Sequence, residues 1–214
     1  MRNKLLHSFK ENSFFFIPFI LWMIIGGILL MLFTQEELFF SVNGKWSKLL
    51  DYYNTAFSAY GRGDIIPIIL ISILLIPEYR NKNYVLSITF FGICIPTCIY
   101  FAKLFFSSPR PLKVYGINKV HTVPWLDNLF HNSFPSGHTI GAFGFFVLLS
   151  LILPKNLKPW SLLFFILALA CGYSRMYLGQ HFFADVYGGS IIGTILAWLI
   201  YEATHHYKPF SSNE

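Results

Sequence analysis

The sequence predicts an all-α integral membrane protein, a bundle of six transmembrane helices with an interfacial amphipathic helix between spans one and two. Three observations support this fold class. The 214 residues are 55% hydrophobic and 12% charged, their mean hydropathy is +0.54, and their apolar residues fall into long runs. Such figures are wrong for a soluble domain, and the length suits a single membrane-embedded domain over residues 1–214.

Six apolar runs are the predicted spans. Four of them are clear, at 14–33, 84–101, 160–178 and 184–201. Two are shorter, at 65–77 and 139–153. Because a transmembrane helix needs about 20 apolar residues, these two need help from their flanks. Asp64 and Pro67 suit a helix start for the first, and Pro135 suits one for the second.

The segment between the first two spans repeats its apolar residues at helical spacing. These residues are Trp46, Leu49, Leu50, Tyr53 and Phe57. The pattern predicts an amphipathic helix that lies in the membrane interface. We expect it to cover the bundle and not to contact a substrate directly.

The distribution of basic residues predicts the orientation. The short loops 78–83 and 154–159 each hold two basic residues in six, which places them in the cytoplasm. The positively charged start, MRNKLLHSFK, has no small-x-small cleavage site after it, so we expect a retained anchor with a cytoplasmic amino terminus. The chain is thus expected to be a multi-pass protein of the inner (cytoplasmic) membrane.

The net charge of +6 does not predict a nucleic-acid partner, because the basic residues lie in short loops and near the candidate site. The three cysteines form neither a disulfide framework nor a zinc-ligand spacing. We therefore expect no nucleic acid, no metal and no cofactor.

Three cations are expected at one extracytoplasmic face. Lys103 ends the third span, Arg110 follows between Pro109 and Pro111 in KLFFSSPRP, and Arg175 comes from another span. A guanidinium group can bind two phosphate oxygens at once, and a lysine adds a compact positive charge. Any one of them alone could reach towards lipid headgroups. Together they predict a phosphate site.

The stretch PSGH at 135–138 opens the fourth span. Pro135 suits a helix start, and Ser136 and Gly137 offer backbone amides at the positive end of the helix dipole. Helix amino termini of this kind bind phosphate. His138 then follows as a candidate proton donor.

A histidine and an aspartate stand one helical turn apart in SRMYLGQHFFAD, at 174–185. Asp185 can bind one nitrogen of the His181 imidazole and leave the other free as a nucleophile. The alternative is a structural pair at a helix start. Charged groups at membrane depth are functional candidates, because they cost free energy unless they are paired or hydrated.

These three blocks resemble the signature of the type 2 phosphatidic acid phosphatase superfamily. Its pattern is Lys, six residues, Arg-Pro; then Pro-Ser-Gly-His; then Ser-Arg, five residues, His, three residues, Asp. Every position is filled, by Lys103, Arg110, Pro111, Pro135 to His138, Ser174, Arg175, His181 and Asp185. The signature region covers about residues 100–190.

The resemblance implies a metal-independent lipid phosphatase that acts at the extracytoplasmic interface. His181 would attack phosphorus to form a phosphohistidine, Asp185 would orient it, and His138 would protonate the leaving oxygen and then activate water. The phosphoryl oxygens would be bound by Lys103, Arg110, Ser136, Gly137 and Arg175.

Other functions fit the sequence less well. A transporter would place charges at the midplane, usually with an inverted repeat, and no repeat is found. A zinc hydrolase built on His121, His131 and His138 lacks a common ligand spacing. Haloperoxidases that share the signature are soluble. A phosphotransferase that uses the same pocket cannot be separated from a hydrolase by its residues.

The substrate is expected to be a membrane lipid phosphate. The resemblance implies undecaprenyl diphosphate, phosphatidylglycerol phosphate or the lipid A phosphates as candidates, whether monoester or diphosphate. Lys113 and Lys119 could bind a second phosphate, but we interpret them as solvated loop charges. The following loop offers apolar residues either for the lipid entrance or as anchors: Tyr115, Trp125, Leu126, Leu129 and Phe130.

Small residues repeat every four positions in the last span, at Gly189, Gly193 and Ala197. Such a face allows close helix packing. It could also mediate a homodimer.

Overall fold

A computed structural model describes residues 8–206, which form helices joined by loops and contain no β-strand. The helices are α1 Ser13–Leu32, α2 Gln35–Asn43, α3 Lys48–Ala59, α4 Ile65–Ile73, α5 Lys82–Phe106, α6 Pro111–Tyr115, α7 Gly137–Ile152, α8 Ser161–Tyr177 and α9 Phe183–His206. Short 3₁₀ helices at Pro77–Tyr79 and Lys155–Trp160 join them. The positive start of the expected anchor, residues 1–7, lies outside the described residues.

Four stretches of the described chain are long and apolar enough to cross a membrane. They are Ser13–Leu32, Lys82–Tyr115, Lys155–Tyr177 and Phe183–His205. These stretches contain or closely match the four clear spans of the sequence. Helix α7 is also apolar but has 16 residues. The chain is therefore a multi-pass helical membrane protein.

The second predicted span, 65–77, forms a shorter helix than expected. Helix α4 has nine residues, which is about 14 Å against a hydrocarbon core of about 30 Å. At its end the Leu74 amide donates to the Ile71 carbonyl. The Arg80 guanidinium binds the carbonyls of Leu74 and Leu75, at 3.1 and 2.6 Å. Pro77 follows, and a proline disfavours helix in the residue before it.

Helix α7 lies at the centre of the bundle. Every residue from Thr139 to Leu148 is buried. It packs closely on α9, because a Cβ at Gly193 would lie 2.4 Å from the Ile140 carbonyl oxygen and one at Gly189 would lie 2.9 Å from the Ser136 carbonyl oxygen. The small-residue face of α9 thus packs inside one chain. Because α7 covers this face, it is not free to form a dimer interface. The expected homodimer stays a prediction, and another surface would have to form its interface.

Four helix ends meet at one end of the bundle. The start of α7 contacts the start of α9 where the Ser136 amide donates to the Asp185 carbonyl at 3.1 Å. The end of α5 reaches the same place, since a Cβ at Gly137 would lie 3.7 Å from the Lys103 side chain. Arg175 stands in the last turn of α8. This meeting point brings together the three sequence blocks.

Helix α3 has polar residues on its inner face and apolar residues on its outer face. Its buried side chains are Asp51, Asn54 and Ser58. Its exposed ones include Leu49, Leu50, Tyr52 and Tyr53. The inner face packs on α8. The predicted helix is therefore present as Lys48–Ala59, with Ser47 as its amino-terminal cap, and Trp46 lies just before it.

Helix α2 was not expected from the sequence. It begins at a capping box, in which the Thr34 hydroxyl accepts from the Glu37 amide at 3.3 Å and the Glu37 carboxylate accepts from the Thr34 amide at 2.8 Å. Phe39 is fully buried against Tyr115 and Phe182, so α2 covers the end of the bundle that holds the site.

Candidate active site

His181 and Asp185 lie at the junction of α8 and α9. The His181 amide donates to the Arg175 carbonyl at 3.2 Å, and this hydrogen bond ties the turn between the helices to the end of α8. His181 Nδ1 lies 3.4 Å from Asp185 Oδ2, and His181 is 1% exposed. The pair predicted from the sequence is therefore formed. Because Nδ1 faces the carboxylate, Nε2 is the nitrogen that remains for chemistry.

Asp185 is held mainly by partners other than the histidine. Its Oδ2 accepts from the Ser133 hydroxyl at 2.5 Å and from the Phe182 amide at 2.8 Å. The second bond is that of an acid in the first turn which reaches back to the start of its helix. Ser133 is fully buried and was not predicted from the sequence. An isolated serine two residues before PSGH carries no spacing signal.

The environment of His181 favours its neutral form. Burial lowers the pKa of His181 well below its ordinary value, and the positive charges of Arg110, Arg175 and Lys103 lower it further. The pKa falls because protonation would place a further positive charge in a buried site that already holds three cations. Neutral imidazole is the form that has a free lone pair.

Arg110 is fixed by a ring of acceptors. Its Nε donates to the His131 carbonyl at 2.8 Å, and one terminal nitrogen donates to the Gln180 carbonyl at 3.0 Å and side-chain oxygen at 3.2 Å. Its backbone caps α6, where Pro111 occupies the first helical position. Gln180 is 3% exposed and was not identified from the sequence. It belongs to the variable part of the third block, which gives no signal.

Lys103 and Arg175 approach from two other helices. Lys103 Nζ donates to the Asn132 carbonyl at 2.8 Å. Arg175 is 5% exposed, and one of its terminal nitrogens donates to the Ser58 hydroxyl of α3. Ser58 was likewise not predicted. The three predicted cations are brought together, since all of them border one cavity.

The PSGH block forms the start of α7, with its members placed differently. Ser136 is the amino-terminal cap and is fully buried; its hydroxyl accepts from the Thr139 amide at 3.4 Å and from the Thr139 hydroxyl at 2.9 Å. Gly137 and His138 border the cavity with His181. The Ser136 hydroxyl thus has a helix-capping partner, whereas Gly137 and His138 face the site.

One cavity joins these polar groups to an apolar channel. It has a volume of about 760 Å³ and runs between α4 and α5. Its polar end is formed by Lys103, Arg110, His138, Arg175 and His181. Its long walls are apolar, with Leu70, Leu74, Phe91, Ile95 and Ile99 among them. A site of this shape suits a ligand with an anionic head and a hydrocarbon tail.

The other histidines named in the sequence are bound elsewhere. His121 Nε2 lies 2.8 Å from Asp51 Oδ1, and its ring stacks on Trp46. His131 Nε2 lies 3.2 Å from Lys113 Nζ at the exposed rim. No group of three or more His, Cys, Asp or Glu side chains suited to a metal occurs in residues 8–206. The zinc arrangement considered above is therefore not assembled.

The apolar residues of the loop after α6 have separate places. Leu129 borders the cavity. Trp125 stacks on Tyr52 of α3 at 5.0 Å, and Tyr115 stacks on Phe39 of α2 at 5.9 Å. The loop is therefore held against α3 by Trp125, the end of α6 is held against α2 by Tyr115, and Leu129 borders the cavity.

The sequence of the chain is similar to that of a known protein family. A sequence model of the PAP2 superfamily matches residues 82–208. Undecaprenyl-diphosphatase BcrC of Bacillus subtilis (strain 168) is 28% identical over 143 residues, which is 67% of this chain and 69% of that protein. Lipid A 4'-phosphatase of Bacteroides thetaiotaomicron is 28% identical over 181 residues, which is 80% of this chain and 76% of that protein.

Among solved structures, the fold is similar to that of a transmembrane PAP2 type phosphatidylglycerolphosphate phosphatase from Bacillus subtilis. The TM-score is 0.64 at 22% identity, and the match covers 95% of this chain and 100% of that chain. The likeness extends over nearly the whole chain, so the two proteins share a fold.

Proposed function

The chain belongs to the PAP2 superfamily and is a lipid phosphatase, and from that premise we propose that it hydrolyses a membrane lipid phosphate through a phosphohistidine at His181. The observation that carries the proposal is the cavity. Its polar end holds two histidines and three cations, and its walls between α4 and α5 are apolar. A free water-soluble phosphate ester would not need such walls.

The first chemical step is attack by His181. Nε2 forms a bond to phosphorus while the bond from phosphorus to the lipid oxygen breaks. His138, whose protonated form the bound phosphate anion would stabilise, donates a proton to that oxygen. Asp185 holds the Nδ1 proton and stabilises the charge that develops on the ring. The lipid leaves with one phosphate fewer, and the phosphoryl group stays on His181.

The second step releases phosphate. His138, now neutral, removes a proton from a water molecule whose oxygen attacks phosphorus. The bond from phosphorus to Nε2 breaks, and His181 returns to its neutral form. Lys103, Arg110 and Arg175 border the same end of the cavity and would balance the charge on the phosphoryl oxygens in both steps. The backbone of Gly137 at the start of α7 adds the positive end of a helix dipole. The chemistry so described needs no metal and no cofactor.

The helix packing supports six crossings. Phe16 of α1 packs on Trp198 near the end of α9, and Trp22 binds Ser190 closer to its start, so α1 and α9 run antiparallel. Helix α5 has 25 residues, about 37 Å, and reaches the site at Lys103. Because Ser58 of α3 is also at the site, the chain between α3 and α5 has to return across the bundle. Helix α4 would be that short crossing.

Helix α3 would lie in the membrane interface. Its exposed apolar side chains face away from the bundle, where Leu49 is 65% exposed and Tyr53 is 54% exposed. A surface of this kind is favourable against lipid and unfavourable against water. With the basic loops 78–83 and 154–159 at the opposite end, the site would face the extracytoplasmic side of the inner membrane.

The candidate substrates are undecaprenyl diphosphate, phosphatidylglycerol phosphate and lipid A phosphates. The first and third correspond to the names of the two curated relatives. The test is release of inorganic phosphate from each lipid in detergent with excess EDTA, by the parent protein and by His181→Ala. We expect EDTA-resistant release from at least one lipid and none by the variant. Loss of phosphate from the lipid without inorganic phosphate would instead indicate a phosphotransferase, and no loss at all would contradict the proposal.

A further inference from the structure

Arg175 and Arg110 are held in different ways. Arg110 binds three backbone carbonyls and the Gln180 side chain. The Arg175 guanidinium donates to the Ser58 hydroxyl, while its Nε is buried without a partner among residues 8–206. The direction of Arg175 therefore depends on one hydroxyl group of another helix.

Ser58 itself is well fixed. It is 6% exposed and lies on the inner face of α3. Seven positions earlier on the same face, Asp51 Oδ1 accepts from the Tyr177 hydroxyl at 2.8 Å and contacts His121 Nε2 at 2.8 Å. Residues seven apart in a helix lie on one side of it. Helix α3 is thus attached to the end of α8 at two points, Ser58 to Arg175 and Asp51 to Tyr177.

The attached segment carries the reacting group. The Arg175 carbonyl accepts from the amides of Gln180 and His181, at 2.9 and 3.2 Å. The end of α8 therefore places both Arg175 and the nucleophilic His181. Anything that fixes this end of α8 also fixes the geometry between the cation and the nucleophile.

We propose that Ser58 is a positioning residue, whose hydroxyl directs the Arg175 guanidinium at the phosphoryl oxygens. Helix α3 then contributes to catalysis from outside the signature region, through Arg175. This inference rests on the proposed function. It adds a requirement that the three signature blocks do not contain, because Ser58 lies in the segment between the first two spans.

The key variant is Ser58→Ala. It leaves the Arg175 charge in place but removes the acceptor, so the guanidinium loses its direction and gains a further unpaired donor. We expect kcat/KM for phosphate release to fall about tenfold, with a similar loss of affinity for inorganic orthovanadate, a mimic of the transferring phosphoryl group. Ser58→Thr, which keeps the hydroxyl, should restore most of both.

The matched control is Asn54→Ala. Asn54 is 5% exposed on the same face of α3, and its side-chain amide donates to the Leu50 carbonyl of its own helix at 2.9 Å. It should keep the parent's kcat/KM and vanadate affinity. If Ser58→Ala does not fold, the pair Ser58→Thr and Ser58→Val carries the same comparison, because its members differ only in the hydroxyl.

A double-mutant cycle separates positioning from a structural role. In an Arg175→Ala background, Ser58→Ala should cause no further loss of vanadate affinity, since it acts through Arg175. The inference is overturned if the losses of vanadate affinity from the two substitutions multiply in the double variant. It is also overturned if Ser58→Ala behaves like Asn54→Ala. In both cases the parent's activity still supports the proposed function. A parent protein that releases no phosphate would overturn both.

Discussion

The Ser133 hydroxyl donates to Asp185 Oδ2 at 2.5 Å across 52 positions of sequence, whereas His181 Nδ1 lies 3.4 Å from the same oxygen. The carboxylate proposed to orient His181 is therefore itself held by a residue outside the three signature blocks. Ser133 donates its own amide to the Ser108 carbonyl at 2.9 Å, so its position depends on the segment after α5.

The first prediction concerns this serine. Ser133→Ala should lower kcat about 10- to 100-fold, because a hydrogen bond to a charged group contributes about 1.5–3 kcal/mol and Asp185 would lose its anchor. Steady-state phosphate release measures the effect. Ser150→Ala is the matched control, since Ser150 is 1% exposed and bonds within its own helix to Phe146 at 2.8 Å. Equal activity of the two variants would contradict the role given to Ser133.

The second prediction concerns pH. Because the pKa of His181 lies well below its ordinary value in the folded protein, the unfolded chain binds the extra proton first as pH falls below about 6.5. The free energy of unfolding should then decrease as pH falls, by up to about 1.4 kcal/mol per pH unit from this group. His181→Asn should remove this share of the slope.

Thermal unfolding in detergent at about pH 7.5 and about pH 5.5 provides the measurement. The variant should lose less stability than the parent between the two conditions. The other histidines are present in both proteins, so the comparison isolates the change made at His181. The same pH slope in parent and variant would show that His181 is protonated normally in the fold.

The third prediction concerns close packing at the start of α7. A Cβ at Gly61 would lie 2.1 Å from the His138 carbonyl oxygen, so Gly61→Ala should displace the backbone that carries His138. We expect a loss of about 1–3 kcal/mol in the free energy of unfolding and at least a tenfold loss of activity. Gly63→Ala is the control, since a Cβ there meets nothing within 4 Å. Parent-like behaviour of Gly61→Ala would mean that this approach is not required.

The fourth prediction concerns the apolar channel. Gly92 borders the cavity, and a Cβ there meets nothing within 4 Å, so Gly92→Phe should fill the channel without disturbing the core. It should lower kcat/KM for a long-chain lipid phosphate much more than for p-nitrophenyl phosphate, which has no tail. Ile93→Phe is the control, because Ile93 is 59% exposed and does not border the cavity. Equal losses on both substrates would indicate that the tail binds elsewhere.

The sequence predicted the placement of the candidate site residues, because their spacing is fixed by local structure. His181 and Asp185 stand one turn apart at a helix start, and Pro111 marks the short helix that Arg110 caps. Each of these signals is contained in a few neighbouring residues. The four long apolar runs were equally clear, since hydrophobicity over about 20 residues is a strong signal.

The supporting groups could not be predicted in the same way. Ser58, Ser133 and Gln180 are isolated polar residues, and their importance comes from the side chain that each meets across the fold. Helix α2 was missed although Thr34 and Glu37 form a capping box that the sequence does contain. The length of α4 was overestimated because Arg80 binds the carbonyls at its end, a contact that hydropathy does not describe.

The proposed phosphohistidine is tested most directly by finding the phosphoryl group on His181. The His138→Ala variant would be mixed with p-nitrophenyl phosphate, whose leaving group needs no proton, and quenched in base, where phosphohistidine is stable. We expect a phosphoryl group on His181, located by mass spectrometry, because the variant lacks the base that activates water. The phosphohistidine proposal would be contradicted if the parent releases phosphate but no phosphoryl group is found on His181 in the variant. Release that survives His181→Ala would contradict it as well.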